Sequence, residues 1–488
     1  MITPELKNKI EEIWEIFHAG GIASPMTIID QITFLFFAKM LDDDELRKEA
    51  NAAAFDMKVV DPIFDKEHQN CRWSNFRHYE AEAMFNTVKN MVFPYLQNEV
   101  SKNSKYAFAK YMSGFPFLIP SPRALVKIVD ALNGLNMDDK ATMREVYEYL
   151  LSRLTLSGTN GQFITPRHIV KMMVEMMKPS LEDTILDPAL GSAGFLTESA
   201  NYIEKHNTAK LMASGTRKRF STEMFSGIDS DPTMLRISAM NLMLNGIEAN
   251  NVQCVDSLSE DNTERNKYSM ILCEPPFTGS IEQEVVSKDI YHTAPANGPG
   301  LLFVSLFLHS LQIGGRCACI VARNALFGIT EAHKKLRKEL IDNQRLEAVI
   351  FLPADCFQPY CMVAAAILVF TKTNNGGTDK VWFYNLENDG FSMDRKRNPI
   401  AENDIPDIIT RFHDLEGENE RTKADKSFFV TKEELYNQDY NLSFERYQEK
   451  KTEEDTYPPI EEIIAKYMQI QTTVAEELSV LERMTMNN

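Results

Sequence analysis

The amino-acid sequence predicts an α/β protein: a mainly parallel, doubly wound sheet with helices on both faces, a helical domain before it and one long helix after it. Three observations carry this expectation. Short apolar runs alternate with helix-period segments between Thr184 and Phe370. Residues 1–150 show helical periodicity and no alternating strand pattern of note. Beyond Pro458-Pro459 apolar residues recur at seven-residue spacing. The expected organisation is a helical domain over 1–150, a sheet domain over 157–375, its extension over 376–457 and a terminal helix over 458–488.

In chain order, Thr3 before Pro4 marks a helix start, an N-cap followed by proline at the first helical position. Leu6, Ile10, Ile13 and Phe17 follow at helical spacing, and Gly20-Gly21 closes the helix. Ile32–Leu41, Ala81–Met91 and Ala124–Leu135 are further helical stretches, and Trp73 and Phe76 occupy a loop-like stretch, expected to pack against them. Ser157 to Gly161 reads as a hinge. Strands are expected at Thr184–Leu186, Met224–Ile228, Val252–Val255, Ser269–Cys273, Arg316–Val321, Glu347–Leu352 and Val363–Phe370, with helices at Ile169–Met177, Phe195–Ile203 and Thr233–Leu244. Val363–Phe370 is read as the last core strand. After Lys372 the pattern loosens into turns at Asp389-Gly390 and Asn398-Pro399 and a charged loop over Glu416–Lys426. In the terminal helix Ile460, Ile463, Tyr467, Ile470, Val474, Leu481 and Met484 form a seam with Glu477 the misfit. Such a seam serves a partner helix or docks on its own domain.

The totals narrow the function. With 488 residues there is ample chain for a large core, and 44% hydrophobic with 25% charged residues is ordinary for a globular protein. No apolar stretch reaches the length of a membrane span, and Ile2-Thr3-Pro4-Glu5-Leu6-Lys7 is no export signal. Seven cysteines without CxxC pairs point to a reducing, cytoplasmic setting. Cys317 and Cys319 share a strand face and are expected as core rather than metal ligands; no metal site is expected. The net charge of −18 says that any DNA contact is local or supplied by a partner. The clusters Arg217-Lys218-Arg219, Lys334-Lys335 with Arg337-Lys338, and Arg395-Lys396-Arg397 are read as solvated faces. No GxxxxGK[ST] loop is present, which argues against motor activity.

Chemistry concentrates at strand ends. The run Met270–Cys273 halts at Glu274-Pro275-Pro276-Phe277, and open α/β sheets place ligands beyond the carboxyl ends of their strands. Asp187-Pro188-Ala189-Leu190-Gly191-Ser192-Ala193-Gly194-Phe195 is a glycine-bearing turn that opens a helix. Dinucleotide enzymes use a related turn, but they expect the next acidic residue about 20 positions on, and here Asp229 comes nearly twice as far away. Asp187, Asp229 and Asp256, at three successive strand ends, suit a cationic, hydroxyl-rich ligand without phosphates, although strand-end aspartates also arise by chance. Phe277 is either a core aromatic or a stacking surface.

Together these residues resemble the modification subunits of type I restriction–modification systems, N6-adenine DNA methyltransferases. The likeness runs from Gly161-Gln162-Phe163-Ile164-Thr165-Pro166-Arg167 through Asp187–Phe195, with Ala193 where many members have Gly, to Asp229 and Pro275-Pro276-Phe277. It continues in Val321–Phe327, Leu352-Pro353, Gly390–Asp394, Lys396–Pro399 and Tyr440–Ser443. The resemblance implies a Rossmann-like methyltransferase domain that binds S-adenosylmethionine through Gln162 to Pro166, Asp187, Gly191, Ser192, Ala193, Gly194, Asp229 and Asp256. It also implies that the side chain preceding Pro275 and the Pro275 carbonyl accept the amino hydrogens of an everted adenine, with Phe277 stacked on the base. The implied partners are DNA, a specificity subunit that reads it, a second modification subunit and a restriction subunit that can join.

One departure stands out. Glu274 occupies the position that in this family carries Asn, Asp or Ser. It is longer and charged, so methyl transfer is expected to be weak or confined to a narrower set of conditions. The competing expectations are an inactive scaffold that holds cofactor and DNA, and methylation of a protein glutamine or an RNA base.

Overall fold

This computed structural model describes residues 3–98, 100, 110–112, 114–135, 140–156, 165–359, 362–449 and 460–486. The proposed hinge at 157–161 and the candidates Gln162, Phe163 and Ile164 lie outside the described residues. The chain forms two compact units, Met1–Tyr447 and Gln448–Asn488.

The front of the chain is helical as its periodicity predicts. Helices span Pro4–Ala19, Pro25–Ala54, Pro122–Asn133 and Lys140–Leu156, and the segment from Ala81 continues through an i→i+5 turn into Phe93–Asn98. Thr3, Ser24 and Ser121 each cap a helix that begins with proline. Trp73 and Phe76 sit in a short helix, both buried. The helix Lys140–Leu156 runs through residue 150. The helix Pro25–Ala54 is buried on nearly every side from Ile28 to Lys39. Its Asp30 takes a bidentate pair from Arg236 at 2.9 and 2.8 Å, and Thr33 meets Tyr147, whose hydroxyl donates to the Ile237 carbonyl. Arg236 and Ile237 belong to the helix Pro232–Leu244 that follows the second strand. Buried polar contacts therefore fix the helical segment to helix Pro232–Leu244; removing one partner of such an ion pair costs about 3–5 kcal/mol.

The strands are β1 Ile185–Asp187, β2 Phe225–Asp229, β3 Val252–Cys254, β4 Tyr268–Cys273, β5 Leu311–Ala322, β6 Arg345–Phe351, β7 Ala365–Thr371, β8 Lys380–Asn385, β9 Asp389–Phe391, β10 Pro399–Asn403 and β11 Ser427–Thr431. Among the described residues nine of them form one sheet in the order β11-β8-β6-β7-β5-β4-β1-β2-β3, with β9 and β10 paired separately. From β3 to β5 all pairs are parallel, β7 inserts antiparallel between β5 and β6, and β11 is antiparallel to β8. Alternation along β4 sends Met270 and Leu272 to the face covered by the front helices, and Ile271 and Cys273 to the face covered by helix Pro299–Ser310.

Two expectations need correction. Val363–Phe370 is not the last core strand, because β8 and β11 extend the same sheet. Val381 to Tyr384 are fully buried. The stretch Glu416–Lys426 is also more than a charged loop. Within it Glu418 is buried and accepts from Trp382 Nε1, Ser427 Oγ and Arg411 Nη1. Cys317 and Cys319 lie in the core as expected, and six cysteines among the described residues are free thiols. No helix among the described residues is long and apolar enough to cross a membrane.

Candidate functional site

The loops beyond β1, β2, β3 and β4 converge on a cavity of about 450 Å³. Gly191, Asp229, Asp256, Glu274, Pro275, Pro276 and Phe277 line it together. The four strand ends singled out in the sequence thus meet in one place. A second cavity of about 680 Å³ lies alongside and is lined by Thr165, Pro166, Ser192 and Gly194. The Thr165 hydroxyl donates to Glu274 Oε2, linking the two cavities. Asp187 and Ala193 are buried and line neither.

Local geometry explains the turn after β1. Asp187 Oδ1 accepts from Ala189 N–H at 3.1 Å, and Leu190 N–H donates to the Ile228 carbonyl of β2. Gly191 has φ +51°, the left-handed region, and its N–H donates to Asp229 Oδ2 at 2.9 Å. Ala193 adopts φ +64°, a conformation that favours glycine, and the next helix starts at Gly194. Asp229 Oδ1 takes a further backbone bond from Asp231 N–H, so one carboxylate holds both loops. Asp256 stands two residues past the end of β3 rather than on it, and its Oδ1 accepts from Leu258 N–H. A carboxylate has about four acceptor sites, so both aspartates keep lone pairs for a ligand.

The profile of the N-6 DNA methylase family matches residues 138–456, and that of the HsdM N-terminal domain matches residues 6–132. The chain belongs to the N-6 DNA methylase family. With both domains in this order, it is a modification subunit of the type I kind. It is 26% identical over 473 residues to the type I restriction enzyme StySJI methylase subunit of Salmonella typhimurium, covering 92% of this chain and 84% of that protein. Two solved structures share its fold. A chain from a study of complex assembly and conformational transition in a type I restriction–modification system superposes with a TM-score of 0.70 at 22% identity, covering 99% of each chain. A modification subunit of a type I restriction enzyme from Vibrio vulnificus superposes with a TM-score of 0.69 at 22% identity, covering 89% of this chain and 94% of that one.

Within this N-6 DNA methylase the charge of the site is one-sided. Asp229, Asp231, Asp256 and Glu274 line the first cavity, and no Lys, Arg or His does so among the described residues. Burial holds the Asp229 carboxyl above its usual range, against the pull of its backbone bonds. Burial likewise raises Asp187 to about 7. Glu274 is raised to about 7 by burial, opposed by the Thr165 hydrogen bond and reinforced by Asp187. As a residue Glu274 is only half-buried, but its Oε1 is closed to solvent and has no hydrogen-bond partner among the described residues. Buried acceptors without partners are uncommon and call for an explanation.

Phe277 is half-buried, edge-on to Phe357 with ring centroids 5.6 Å apart and planes at 76°. It thus packs on one side and lines the cavity on the other. Sequence reasoning missed the third wall: Ser24, Pro25 and Met26 reach the cavity from the N-cap and first turn of helix Pro25–Ala54, and Leu154 from the end of helix Lys140–Leu156. Nothing local in those residues marks them as lining a site. Gly227 was also missed: a Cβ there would come within 2.6 Å of Leu190 Cδ1, so β2 and the glycine-bearing turn touch only because the residue has no side chain.

The basic clusters divide. Arg337 is buried and donates to the carbonyls of Tyr440, Ala325 and Gly328, a structural role rather than a solvated face. Arg397 and His168 both pair with Asp389, tying helix Arg167–Met177 to the β9–β10 hairpin. Arg217 pairs with Glu204. In the terminal helix Ile460–Met486, Ile460, Tyr467, Ile470 and Val474 are exposed.

Proposed function

We propose that the chain transfers a methyl group from S-adenosylmethionine to adenine N6 in DNA, as the modification subunit of a type I restriction–modification system. One observation supports this above the others: four carboxylates and Phe277 share a cavity that no basic residue lines among the described residues. The group fits these residues. An acidic wall suits a sulfonium cation, and strand-end carboxylates with spare acceptor sites suit ribose hydroxyls. S-adenosylmethionine supplies an electrophilic methyl carbon. Asp229 and Asp256 hold the nucleoside end, the turn Gly191–Gly194 lets the backbone approach, and Thr165, Pro166 and Ser192 border the adjoining end. Gln162, Phe163 and Ile164 are assigned to that end by the family resemblance alone. Glu274 Oε1 and the Pro275 carbonyl accept the two hydrogens of the target amine, drawing its lone pair out of conjugation. Phe277 stacks on the everted base. The rate gain comes from positioning and electrostatics.

The exposed seam residues Ile460, Tyr467, Ile470 and Val474 suit a partner helix, and we assign them to the assembly with a specificity subunit. A second modification subunit and a restriction subunit complete the proposed assembly, and the cytoplasm is its proposed home. The decisive test has two parts. Titration calorimetry of the purified chain should show uptake of S-adenosylmethionine. Co-expression with the specificity subunit should yield protected adenines in DNA. Absence of both would overturn the reading, and methylation of offered RNA or protein instead of DNA would redirect it.

A further inference from the structure

Glu274 is the residue that sets this chain apart from its family's motif, and its surroundings give that difference a consequence. Its Oε2 is held by the Thr165 hydroxyl, while Oε1 is sealed from solvent and, among the described residues, has no partner and no basic residue on the cavity wall. The other elements packed around it bring more acid. Asp187 ends β1, Asp229 and Asp231 follow β2, Asp256 follows β3, and the Cys273 thiol ends β4. Asp355 and Cys356 follow β6. The described cations on these elements point elsewhere: Arg167 pairs with Glu148, His168 and Arg397 with Asp389, Arg236 with Asp30, and Arg323 with the Leu352 carbonyl and Glu445. Lys171 lines the adjoining cavity and not this one. Among the described residues no cation pairs with a carboxylate here, so it keeps its proton until a cation arrives.

We infer that Glu274 distinguishes the cationic methyl donor from its neutral thioether product, giving up a proton when the donor binds and keeping it when the product binds. The inference rests on the reading of the cavity as a methyl-donor site. An Asn at this position has no proton to exchange and cannot make the distinction. Burial and the Asp187 charge raise Glu274 to about 7, which puts the exchange within the working range of pH. Below that value donor binding must displace a proton, so its affinity falls toward about tenfold per pH unit, whereas product affinity carries no such cost. Acid thus favours retention of product, and neutral to alkaline pH favours its replacement by fresh donor.

The test is calorimetry of the full chain with S-adenosylmethionine and with S-adenosylhomocysteine, from pH 6 to pH 8.5, in buffers of differing ionisation enthalpy. Expected is release of close to one proton with the donor near pH 6.5, none with the product, and a donor-to-product affinity ratio that rises with pH. Glu274→Gln, which keeps the shape and drops the charge, should abolish the release and flatten the ratio while both ligands still bind. Donor binding without proton release overturns the inference and leaves the function standing. Undiminished release in Glu274→Gln also overturns it, by moving the exchange to Asp187. Failure of the donor to bind at any pH removes the reading beneath it. Glu274→Asn, the residue type of the family motif, gives a second variant with the same expected flat profile.

Discussion

At the ends of β1, β2 and β3 the carboxylates are already met by the backbone: Asp187 takes Ala189 N–H, Asp229 takes Gly191 and Asp231 N–H, and Asp256 takes Leu258 N–H. At the end of β4, Glu274 takes one hydroxyl and leaves Oε1 unmet. The first region is organised before any ligand arrives, and its acids serve as much to shape loops as to bind. The second stores an unsatisfied acceptor whose ionisation awaits a cation. Preorganisation therefore belongs to the side of the cavity proposed for the nucleoside, and responsiveness to the side proposed for the methyl group.

The largest expected effect breaks the organised side. Asp229→Ala removes the acceptor of two loop N–H groups and of the proposed ribose contacts, each charge-assisted bond being worth roughly 1.5–3 kcal/mol. Donor affinity measured by calorimetry should drop on the order of 10³-fold; a loss under threefold would show that the strand end does not hold the ligand. On the other side, Phe277→Ala should leave donor affinity within about twofold and lower kcat/KM for DNA roughly 30-fold, since stacking is worth about 1–3 kcal/mol per base. Equal loss of donor affinity and transfer would make Phe277 a packing residue against Phe357 instead.

The contrast sharpens with pH. In kcat/KM for the donor, which reports the free enzyme, Glu274→Asn should outperform the unmodified chain about tenfold at pH 6 and lose most of that lead by pH 8. A constant ratio across this range would mean that length, not charge, sets the effect of Glu274. A smaller signal should appear in stability. Burial raises both Asp187 and Glu274 to about 7, so between about pH 4 and 7 the folded chain holds protons the unfolded chain has released. Their contribution is complete below about pH 4 and is lost as pH rises through 7. Donor binding offsets that loss, so its thermal shift should exceed the product's by about 1–2 °C more at pH 8 than at pH 6. Equal shifts at both pH values would contradict the ionisation scheme.

Legibility followed the range of the forces involved. Strands β1 to β7 announce themselves as apolar runs between helical periods, and the proposed site residues from Asp187 onward are fixed by their distance from a strand end, whereas Gln162 to Pro166 rested on the family resemblance. The run Val381–Tyr384 was equally apolar, but it is short and follows Asn374-Asn375-Gly376-Gly377, so it read as part of a loose tail. Its burial comes from pairing with β6 and β11, contacts that local pattern does not encode. Ser24 and Met26 reach the cavity through contacts between residues far apart in sequence, among them the Asp30–Arg236 pair and the Thr33–Tyr147 hydrogen bond. Glu274 was visible at once, but that its Oε1 has no partner among the described residues is revealed only by the assembled neighbourhood.

The smallest expected effect tests how far the organised side is strained. Ala193 holds φ +64° at a position where many family members have Gly, and left-handed backbone costs a residue with a Cβ about 1–2 kcal/mol. Ala193→Gly would relieve that strain. It would also add chain entropy worth about 0.5–1 kcal/mol to the unfolded state and remove a fully buried methyl group worth about 0.8 kcal/mol. These terms nearly cancel, so the variant should unfold within about 0.5 kcal/mol of the unmodified chain. Donor affinity should fall slightly, because a looser turn no longer presents Gly191 N–H to Asp229 in one fixed arrangement. A gain above about 1 kcal/mol would show that the turn carries strain its surroundings do not offset, and the organised side of the cavity would then resemble the methyl side more than its satisfied hydrogen bonds imply.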